Sequence, residues 1–258
     1  MTGRSLRSGT GRGGRDRGAS EILGFVLLFA LIVGSTGLVF TAGFDALEGV
    51  QTDRQNENAE SAFLRIPTKF QQIGDDGAPL RAGDLSVSPA GLSTGGDVEL
   101  TVTVHLPSGD ESRTFQVGAL SYTLDDTAVA YEANAVFRSD GDGVAVLSAP
   151  PWKCRAERTV ISFTAMESTG PTSVASDSVT VVGEHEDTSL WFPFDRTGAG
   201  SAADATGVSV AVDSPNSVGW NRYFEDAPGW ADPEDDGTYR CATDRVYVRQ
   251  VNVTTRLV

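Results

Sequence analysis

The most apolar stretch of the chain runs from Ile22 to Phe44 and contains no charged residue. Its 23 residues lie between Glu21 and Asp45. A helix that rises 1.5 Å per residue covers roughly 35 Å over this length, which is enough to cross the hydrocarbon core of a bilayer. Because a helix also satisfies its own backbone hydrogen bonds in lipid, the pattern predicts a membrane-spanning helix over residues 22–44.

After this stretch, apolar residues recur at intervals of three and four, with polar residues between them. This spacing places the apolar residues on one face and predicts an amphipathic helix. Pro67 is expected to kink or end that helix, and the segment 74–77 is expected to stop it. Residues 19–74 therefore form either one long, bent helix or two helices joined near Gly43 or Gly49. The apolar positions are Phe44, Leu47, Val50, Ala59, Ala62, Phe63, Ile66, Phe70 and Ile73.

From residue 80 onward the apolar period changes to two. Between Val98 and Leu106, for example, apolar residues alternate with Glu, Thr and His, which is typical of a half-buried strand. Turns rich in Gly, Asp and Pro separate many such segments, so the pattern predicts an antiparallel β domain over residues 80–258. The predicted strands are 98–106, 113–117, 120–124, 128–137, 144–148, 159–166, 178–182 and 208–212, with Tyr239 and 246–253 closing the chain.

The predicted fold class is therefore α+β, with a long N-terminal transmembrane α-helix followed by an antiparallel, β-sandwich-like outer domain. A short helix is also predicted at residues 214–226, where Trp220, Tyr223 and Phe224 share one face. We interpret these three aromatic residues as core packing rather than as a platform for a ligand, because large aromatic side chains are mostly buried.

The charge balance is strongly acidic and relies on arginine rather than lysine. The net charge is −15, and the 20 basic residues include only two lysines, Lys69 and Lys153. Such a surface stays soluble at high ionic strength and indicates adaptation to salt; an acidic secreted protein from a GC-rich genome is the alternative. Because the acidic outer domain offers no basic footprint for phosphates, we expect no nucleic-acid partner.

Residues 1–18 carry five arginines and one acid, Asp16, within a Gly- and Ser-rich segment. This basic leader has no apolar periodicity, so we predict that it is disordered. Positive charge before the apolar stretch and acids after it predict a cytoplasmic N-terminus and an extracellular β domain. A cleaved secretory signal peptide and a simple signal anchor are two explanations of this arrangement, although the apolar stretch is longer than that of a signal peptide.

A third explanation comes from the residues at the boundary, 17–25, which read Arg-Gly-Ala-Ser-Glu-Ile-Leu-Gly-Phe. This segment resembles the class III signal peptide of type IV pilin-like proteins, including archaeal pilins and archaellins, and looks close to haloarchaeal members. The resemblance implies that a prepilin-type signal peptidase cuts between Gly18 and Ala19, and that the retained helix forms a filament core. It implies processing residues Arg17, Gly18 and Ala19 and assembly residues Glu21, Ile22, Leu23, Gly24 and Phe25.

Glu21 has two alternative roles in this interpretation. In a filament, its carboxylate would pair with the new N-terminus at Ala19 of a neighbouring subunit, which would offset the cost of an acid in lipid and fix the stagger between subunits. Alternatively, Glu21 lies at headgroup depth and faces the dipole of its own helix, with Ser20 as the capping residue. Bacterial pilins usually carry this acid two residues further into the helix, so the pairing does not follow from the resemblance alone.

Three further features concern the β domain. Cys154 and Cys241 form either a disulfide, which would contribute roughly 4 kcal/mol in the loop-entropy model, or two buried free thiols. Asn252 begins an Asn-Val-Thr triplet, which is an acceptor pattern for N-glycosylation on an external surface. The acids around Trp230 are predicted to form a solvated loop rather than a calcium site, because they lack a calcium-loop spacing.

No motif in the sequence indicates catalysis: we find no Gly-x-Ser-x-Gly elbow and no zinc-type spacing around His105 or His185. We therefore expect no enzyme activity, cofactor or metal. The predicted function is a membrane-anchored, surface-exposed pilin-like subunit that packs with itself or with other pilin-like subunits into a pilus-like filament or pseudopilus. The alternative is a single-pass anchor that carries a β-domain binding module at the cell surface.

Overall fold

The computed structural model describes six stretches of the chain, which are residues 15–76, 80–85, 91–141, 143–174, 179–193 and 205–258. The chain divides into two compact units, Met1–Asp53 and Arg54–Val258. The described part of the first unit is helical, and the second unit contains the end of the same helix, two further helices and all the described strands. The fold is α+β with a mostly antiparallel β domain.

Two helices occupy the N-terminal part of the chain, α1 at Arg15–Phe63 and α2 at Ile66–Asp76. α1 is continuous through Gly43 and Gly49, because an isolated glycine costs a helix only about 1 kcal/mol. It begins four residues before the predicted start at Ala19. Arginine and aspartate are compatible with a helix, so the end of the basic leader is helical, while residues 1–14 lie outside the described residues.

The break between α1 and α2 falls just before Pro67, as the sequence predicts. The amide of Leu64 still donates to the carbonyl of Glu60 (2.9 Å), whereas the amide of Arg65 donates to the nearer carbonyl of Ala62 (3.1 Å). Pro67 then lies in the first turn of α2, where the N–H that proline lacks would have no helical partner.

Fourteen strands lie in the described parts of the chain, together with a third helix, α3, at Ser217–Asp226. The predicted strands all have counterparts, but β1, β2 and β10 were not predicted because these segments are short or rich in Gly and Ser. The strands are β1 Leu80–Leu85, β2 Gly91–Gly95, β3 Glu99–His105, β4 Glu111–Gln116, β5 Ala119–Leu124, β6 Thr127–Glu132, β7 Ala135–Asp140, β8 Gly143–Ser148, β9 Thr159–Ser168, β10 Ser173–Val174, β11 Val179–Phe192, β12 Gly207–Asp213, β13 Thr238–Cys241 and β14 Val246–Leu257.

The strands form three sheets rather than the two of a simple sandwich. Their orders are β1-β11-β14-β9, β10-β2-β5-β6-β7-β8 and β13-β12-β3-β4. The second sheet contains a run of sequential hairpins from β5 to β8. In the first sheet, β14 pairs in parallel with β9, and the remaining described pairs are antiparallel. A parallel pair requires a long crossover, and here the chain between β9 and β14 supplies it.

The predicted strand 128–137 is in fact a tight hairpin of β6 and β7. Ala133 and Asn134 have φ angles of 46° and 74°, as the two central residues of a type I′ turn require. The hydroxyl of Tyr131 donates to Asn134 Oδ1 (2.6 Å), and Asn134 Nδ2 donates to the carbonyl of Ser162 (3.3 Å). These contacts fix a turn that lacks the usual glycine.

Two clusters of apolar side chains form the core of the second unit. One lies around β3, β12 and α3 and includes Leu100, Val102 and Trp220. The other packs the end of α1 and all of α2 against the sheets, with Phe63 and Ile73 fully buried. The amphipathic helix predicted from the sequence is therefore part of the core of this unit. The first cluster also positions the aromatic residues of α3.

Candidate functional site

The segment Ile22–Phe40 of α1 has a mean hydropathy of 2.5 and contributes nothing to the core of the chain. Its large apolar side chains are all exposed, from 53 % for Val33 to 72 % for Leu38. Of the described helices, this is the one that is long and apolar enough to cross a membrane. An exposed apolar surface of this extent is unfavourable in water and fits a membrane anchor or a signal sequence.

Small residues interrupt this apolar segment at its centre. A Cβ added at Gly34 or Gly37 would meet no atom within 4 Å, so the helix backbone is accessible there. The hydroxyls of Ser35 and Thr36 donate to the carbonyl of Ile32 at 3.0 and 2.8 Å. Because both hydroxyls are satisfied within the helix, this patch can contact lipid or another helix without leaving a polar group unpaired.

The residues assigned to processing and assembly follow one another along the start of α1. Arg17, Gly18, Ala19 and Glu21 lie in its helical backbone, and their side chains lie outside the described residues. The adjoining assembly residues Ile22, Leu23, Gly24 and Phe25 are exposed. The rings of Phe25 and Phe29 stack at 6.2 Å between centroids.

The polar side of the α1 tail also contacts the sheets. The hydroxyl of Tyr122 donates to Oδ1 of Asn56, a buried polar side chain, at 3.5 Å. Arg138 on β7 forms an ion pair with Glu60 of α1 and a second one with Asp140 (2.7 Å). The hydrogen bonds from Arg138, and then from Thr127, hold the pKa of Asp140 below its usual range.

Cys154 and Cys241 form a disulfide with their Cα atoms 5.9 Å apart, so the alternative of two free thiols is excluded. The bridge joins the loop before β9 to the end of β13. Cys241 is fully buried, and its Sγ lies 3.0 Å from the hydroxyl of Thr159. Gly229 passes so close that an added Cβ would lie 2.7 Å from Cys154 Sγ. The disulfide therefore also constrains the loop that follows α3.

A cavity of about 490 Å³ lies between these two loops and α3. We call it the aromatic pocket, because Trp152, Tyr223 and Trp230 line it together with proline, alanine and valine side chains. Lys153, Arg155 and Asp226 also line the pocket, and these three side chains are exposed. Burial raises the pKa of Tyr223, whose hydroxyl has no hydrogen-bond partner among the described residues.

The aromatic face of α3 divides between core and pocket. Trp220 and Phe224 are each 1 % exposed, and Trp220 stacks on Trp152 at 5.4 Å between centroids. These contacts confirm the core-packing interpretation for Trp220 and Phe224. Tyr223 is also buried, yet it reaches the wall of the aromatic pocket, which the sequence pattern did not indicate.

A buried carboxylate anchors the start of α3. Glu132 at the end of β6 is 1 % exposed and accepts hydrogen bonds from three side chains. Ser214 Oγ and Trp220 Nε1 donate to Oε2 at 2.6 and 2.9 Å, and Asn216 Nδ2 donates to Oε1 at 2.7 Å. These contacts place the carboxyl group of Glu132 at the N-terminal end of α3. Glu132 thus has a structural role.

A hydrogen-bonded chain of Ser, His and Asp lies on the outer face of the β12–β3 pair. His105 Nε2 is 2.7 Å from Ser209 Oγ, and His105 Nδ1 is 2.9 Å from Asp110 Oδ2. This is the connectivity of a hydrolase triad. However, Ser209 lies in β12, which is paired with β3 and β13 on its two sides, so its backbone N–H is committed to the sheet. Without a free backbone donor beside the serine, we assign no acyl-transfer chemistry to this chain of residues.

Asn252 lies in β14, between β11 and β9 in the sheet. Its Nδ2 donates to Asp187 Oδ1 (2.7 Å), its Oδ1 accepts from Gln250 (2.6 Å), and Thr254 donates to Glu186. The side chain of Asn252 is partly exposed although its strand is paired on both sides. The predicted modification stays a prediction.

The acidic segment around Trp230 forms a loop closed by its own hydrogen bonds. The carboxylate of Asp232 accepts from the backbone amides of Asp236 (3.3 Å) and Gly237 (2.9 Å). Within the described stretches, no three His, Cys, Asp or Glu side chains converge to hold a metal ion. The acids of this segment are Glu225, Asp226, Asp232, Glu234, Asp235 and Asp236.

Residues 17–256 match the DUF7289 family, a family of unknown function. The chain belongs to the DUF7289 family. No curated protein and no solved structure matches this chain. The DUF7289 match begins at Arg17 and continues to Arg256, so it includes the apolar segment of α1 as well as the β domain.

Proposed function

We propose that this chain is a pilin-like structural subunit of the cell surface. In this proposal a prepilin-type signal peptidase removes residues 1–18, the apolar segment of α1 stays on the mature chain, and copies of that segment pack together in a filament or pseudopilus. The β domain lies outside the membrane. The acidic, lysine-poor composition supports a source adapted to high salt.

The observation that carries the proposal is the continuity of α1. One unbroken helix contains the exposed segment Ile22–Phe40 and, further along, the buried residues Ala59 and Phe63. The apolar segment of this helix is thus a surface that lipid or other helices must cover, and the last turns of the same helix pack into the core of the unit Arg54–Val258. A signal peptide that is cleaved off need not be continuous with a helix of the folded domain. A subunit whose domain must stay attached to a membrane or filament does need such a continuous helix.

The all-round exposure of the apolar segment supports a function in two environments. Before assembly, the segment can lie in lipid, which covers every side of a helix. After assembly, neighbouring apolar helices would cover the same side chains, with close approach at Gly34 and Gly37. A helix with only one apolar face would suit the first environment poorly.

Processing can be tested at Gly18. In cells that contain the peptidase, we expect Gly18→Val to leave a chain longer by the 18 leader residues, while the wild-type chain is shortened. Gly24→Val is the matched control, because a Cβ at Gly24 meets no atom within 4 Å and the position lies beyond the cut. A wild-type mass that is identical with and without the peptidase would exclude the proposal.

The second candidate is a single-pass anchor with a binding module, and the aromatic pocket favours it because it is an open cavity of ligand size. Oligomeric state separates the two candidates. The filament subunit is expected to form higher oligomers through its helix and to lose them on Gly37→Leu, whereas the anchored module is expected to remain monomeric in detergent. Membrane insertion should be the same for both chains.

A further inference from the structure

We infer that the free edge of β4 is a docking site for β4 of a second copy of this chain, so that the two β domains share one continuous antiparallel sheet. β4 spans Glu111–Gln116 and is an edge strand of the sheet β13-β12-β3-β4. The inference does not rest on the filament proposal, because every residue concerned lies in the unit Arg54–Val258. The two proposals can therefore fail separately.

The other edge strands of the three sheets are short or in contact with neighbouring segments. Ala231 pairs with Arg240 along β13, and Lys153 pairs with Val160 along β9. At β8, Arg222 of α3 donates to a backbone carbonyl at 2.5 Å. β10 has only two residues, and α2 packs against β1. In contrast, within the described stretches no backbone hydrogen bond reaches the outer side of β4.

The register with β3 shows which backbone groups of β4 point outward. The amide of Val117 donates to the carbonyl of Val98 (2.9 Å), so these two residues form a hydrogen-bonded pair. Because such pairs alternate along an antiparallel ladder, Ser112 and Thr114 are in non-hydrogen-bonded pairs with two threonines of β3. The hydroxyls in both pairs lie 2.8 Å apart, as the closer side chains of such pairs allow. The backbone N–H and C=O groups of Ser112 and Thr114 therefore face the free edge.

β4 is held in place by its core side chain while its edge stays exposed. Phe115 is 3 % exposed, and its ring lies 5.0 Å from that of Phe163 and 5.6 Å from that of Trp191, measured between centroids. Ser112 and Thr114 are both exposed. An open edge of this kind presents a template for pairing with another strand. Because β4 is already ordered, it loses little conformational entropy when a partner strand docks.

The charges of β4 favour a second copy of the same strand as the partner. Glu111 and Arg113 lie two residues apart and therefore on one face of the strand. When Ser112 pairs with Ser112 of a second copy, each Glu111 lies opposite Arg113 of the other copy, in a non-hydrogen-bonded pair whose side chains are close. The pairing is two-fold symmetric, so both ion pairs form together. β4 also carries no net charge in a chain of −15, which limits repulsion between the copies.

The neighbouring registers are less favourable. Sliding one strand by two residues sets Arg113 opposite Arg113 or Glu111 opposite Glu111, and like charges directly opposite are destabilising. A slide of one residue sets the outward backbone groups of one strand against the inward-facing groups of the other, so their hydrogen bonds are lost. The register with Ser112 on the two-fold axis therefore suits both the backbone and the charges.

The contact is expected to be weak in dilute detergent and to form where copies of the chain are concentrated. One added pair of strands buries far less surface than a stable dimer needs. The apolar segment of α1, inserted in a membrane, would raise the local concentration of the copies and so favour the pairing. The pairing is therefore best measured in membranes.

The direct test is disulfide cross-linking of the full chain in the membranes of cells that express it. Both native cysteines are in the Cys154–Cys241 bridge, so Ser112→Cys introduces a single free thiol. Hydrogen-bonded antiparallel partners have Cα atoms about 5.5 Å apart, which a disulfide can span. We expect Ser112→Cys to give a disulfide-linked dimer on mild oxidation. Thr114→Cys is the matched control, because in this register its two copies lie about 13 Å apart.

Charge reversal in the Ser112→Cys chain tests the two ion pairs. Arg113→Glu sets acids opposite acids and should lower the yield of dimer at least about fivefold. Adding Glu111→Arg restores opposite charges across the contact and should return the yield to that of Ser112→Cys alone. Within one chain, Glu111 and Arg113 lie opposite valines of β3, so the rescue cannot come from an ion pair with β3 in a single copy.

Three results would overturn the inference. The Ser112→Cys chain could stay monomeric on oxidation, or Thr114→Cys could form as much dimer as Ser112→Cys. A cross-link from Ser112→Cys to a different protein would assign the edge to another partner and exclude the second copy. Near-UV circular dichroism checks that each variant keeps its aromatic core. Removal of the leader is measured separately by mass, so a failure here leaves the filament proposal standing.

Discussion

Glu132 has an ionisable side chain, and yet it lies in the interior of the fold. It is a carboxylate at 1 % exposure, and within the described residues no cation pairs with it. Three donors from the start of α3 replace the water that it would otherwise bind. Burial of a polar group is costly unless the group is hydrogen-bonded. Glu132 therefore ties α3, and with it Tyr223, to the sheet.

Replacing Glu132 by Gln tests this role. The amide keeps the shape of the side chain, but its NH₂ group is a donor where the carboxyl oxygen is an acceptor. That NH₂ group then faces either the two donors from Ser214 and Trp220 or the donor from Asn216. We expect the free energy of unfolding to fall by about 1–3 kcal/mol, measured by denaturant titration with tryptophan fluorescence. Glu225→Gln, at an exposed position of α3, should change it by less than about 0.5 kcal/mol. Equal effects of the two substitutions would show that the hydrogen bonds of Glu132 are not important.

Asp140 gives a pH-dependent prediction at the same scale. Its pKa is lowered by hydrogen bonds from Arg138 and Thr127, so the unfolded chain binds a proton more readily than the folded chain. The resulting stabilisation is present above the unfolded pKa of about 3.9 and is lost as pH falls through the lower folded pKa. Because the side chain of Asp140 is 52 % exposed, we expect less than about 1 kcal/mol at pH 7.

The measurement compares Asp140→Asn with the wild type across pH. The variant should be less stable at neutral pH, and the difference should shrink as the pH is lowered below about 3.9. Asp126→Asn, at an exposed position in the turn between β5 and β6, is the control for the loss of one carboxylate. A stability difference that stays constant down to strongly acidic pH would contradict the assigned cause.

Among the described elements, α1 combines an exposed apolar segment with a buried end. Its apolar segment is fully exposed in the chain, whereas its last turns and α2 are buried against the sheets. The break before Pro67 divides the amphipathic part into two short segments, and each buries its own apolar residues. The packing of the α1 tail, rather than its helix propensity, is therefore what joins the helix to the folded unit.

Truncation of Phe63 tests that packing. This side chain is 0 % exposed at the end of α1, so Phe63→Ala should lower the free energy of unfolding by about 3–5 kcal/mol. The adjacent Leu64 is 43 % exposed, and Leu64→Ala should cost far less. Unfolding can be followed by the near-UV circular dichroism of the aromatic core. A Phe63→Ala chain as stable as Leu64→Ala would mean that the α1 tail is not part of the cooperative unit.

Hydrophobic periodicity predicted some elements of this fold and missed others. It predicted the helices, the kink at Pro67 and the central strand β3, because each depends on local spacing alone. It missed the hairpin at Ala133 and Asn134, since the turn lacks glycine and is fixed by contacts with Tyr131 and Ser162. The parallel pairing of β9 with β14 and the third sheet depend on contacts between distant segments, which no local pattern contains.

The candidate sites follow the same rule. The apolar segment of α1 is visible in the sequence because one continuous run of residues forms it. The aromatic pocket is not, since its walls come from two loops and from α3, and the pattern of α3 alone indicated core packing. The contact of His105 with Ser209, 104 residues away, likewise required the fold. Residues assembled from distant segments therefore escape sequence reasoning even when each lies in a predicted element.

At the scale of the whole molecule, one chain contains a folded unit and an apolar segment that require different surroundings. The acidic unit Arg54–Val258 has its own core and a disulfide, which suit an extracellular environment. The apolar segment of α1 needs lipid or other helices around it. The proposed pilin-like subunit reconciles the two, because the helix is retained after the leader is removed and the folded unit remains attached to it.

Retention of the helix is the central claim, and the N-terminus of the mature chain tests it most directly. Intact-mass and N-terminal sequence analysis should be made on the chain recovered from native membranes or surface filaments. We expect Ala19 as the first residue, with the mass lowered by the 18 residues of the leader. A first residue beyond Phe40 would show that the apolar segment is discarded, and an intact leader in cells that contain the peptidase would show a permanent anchor; either result would contradict the account.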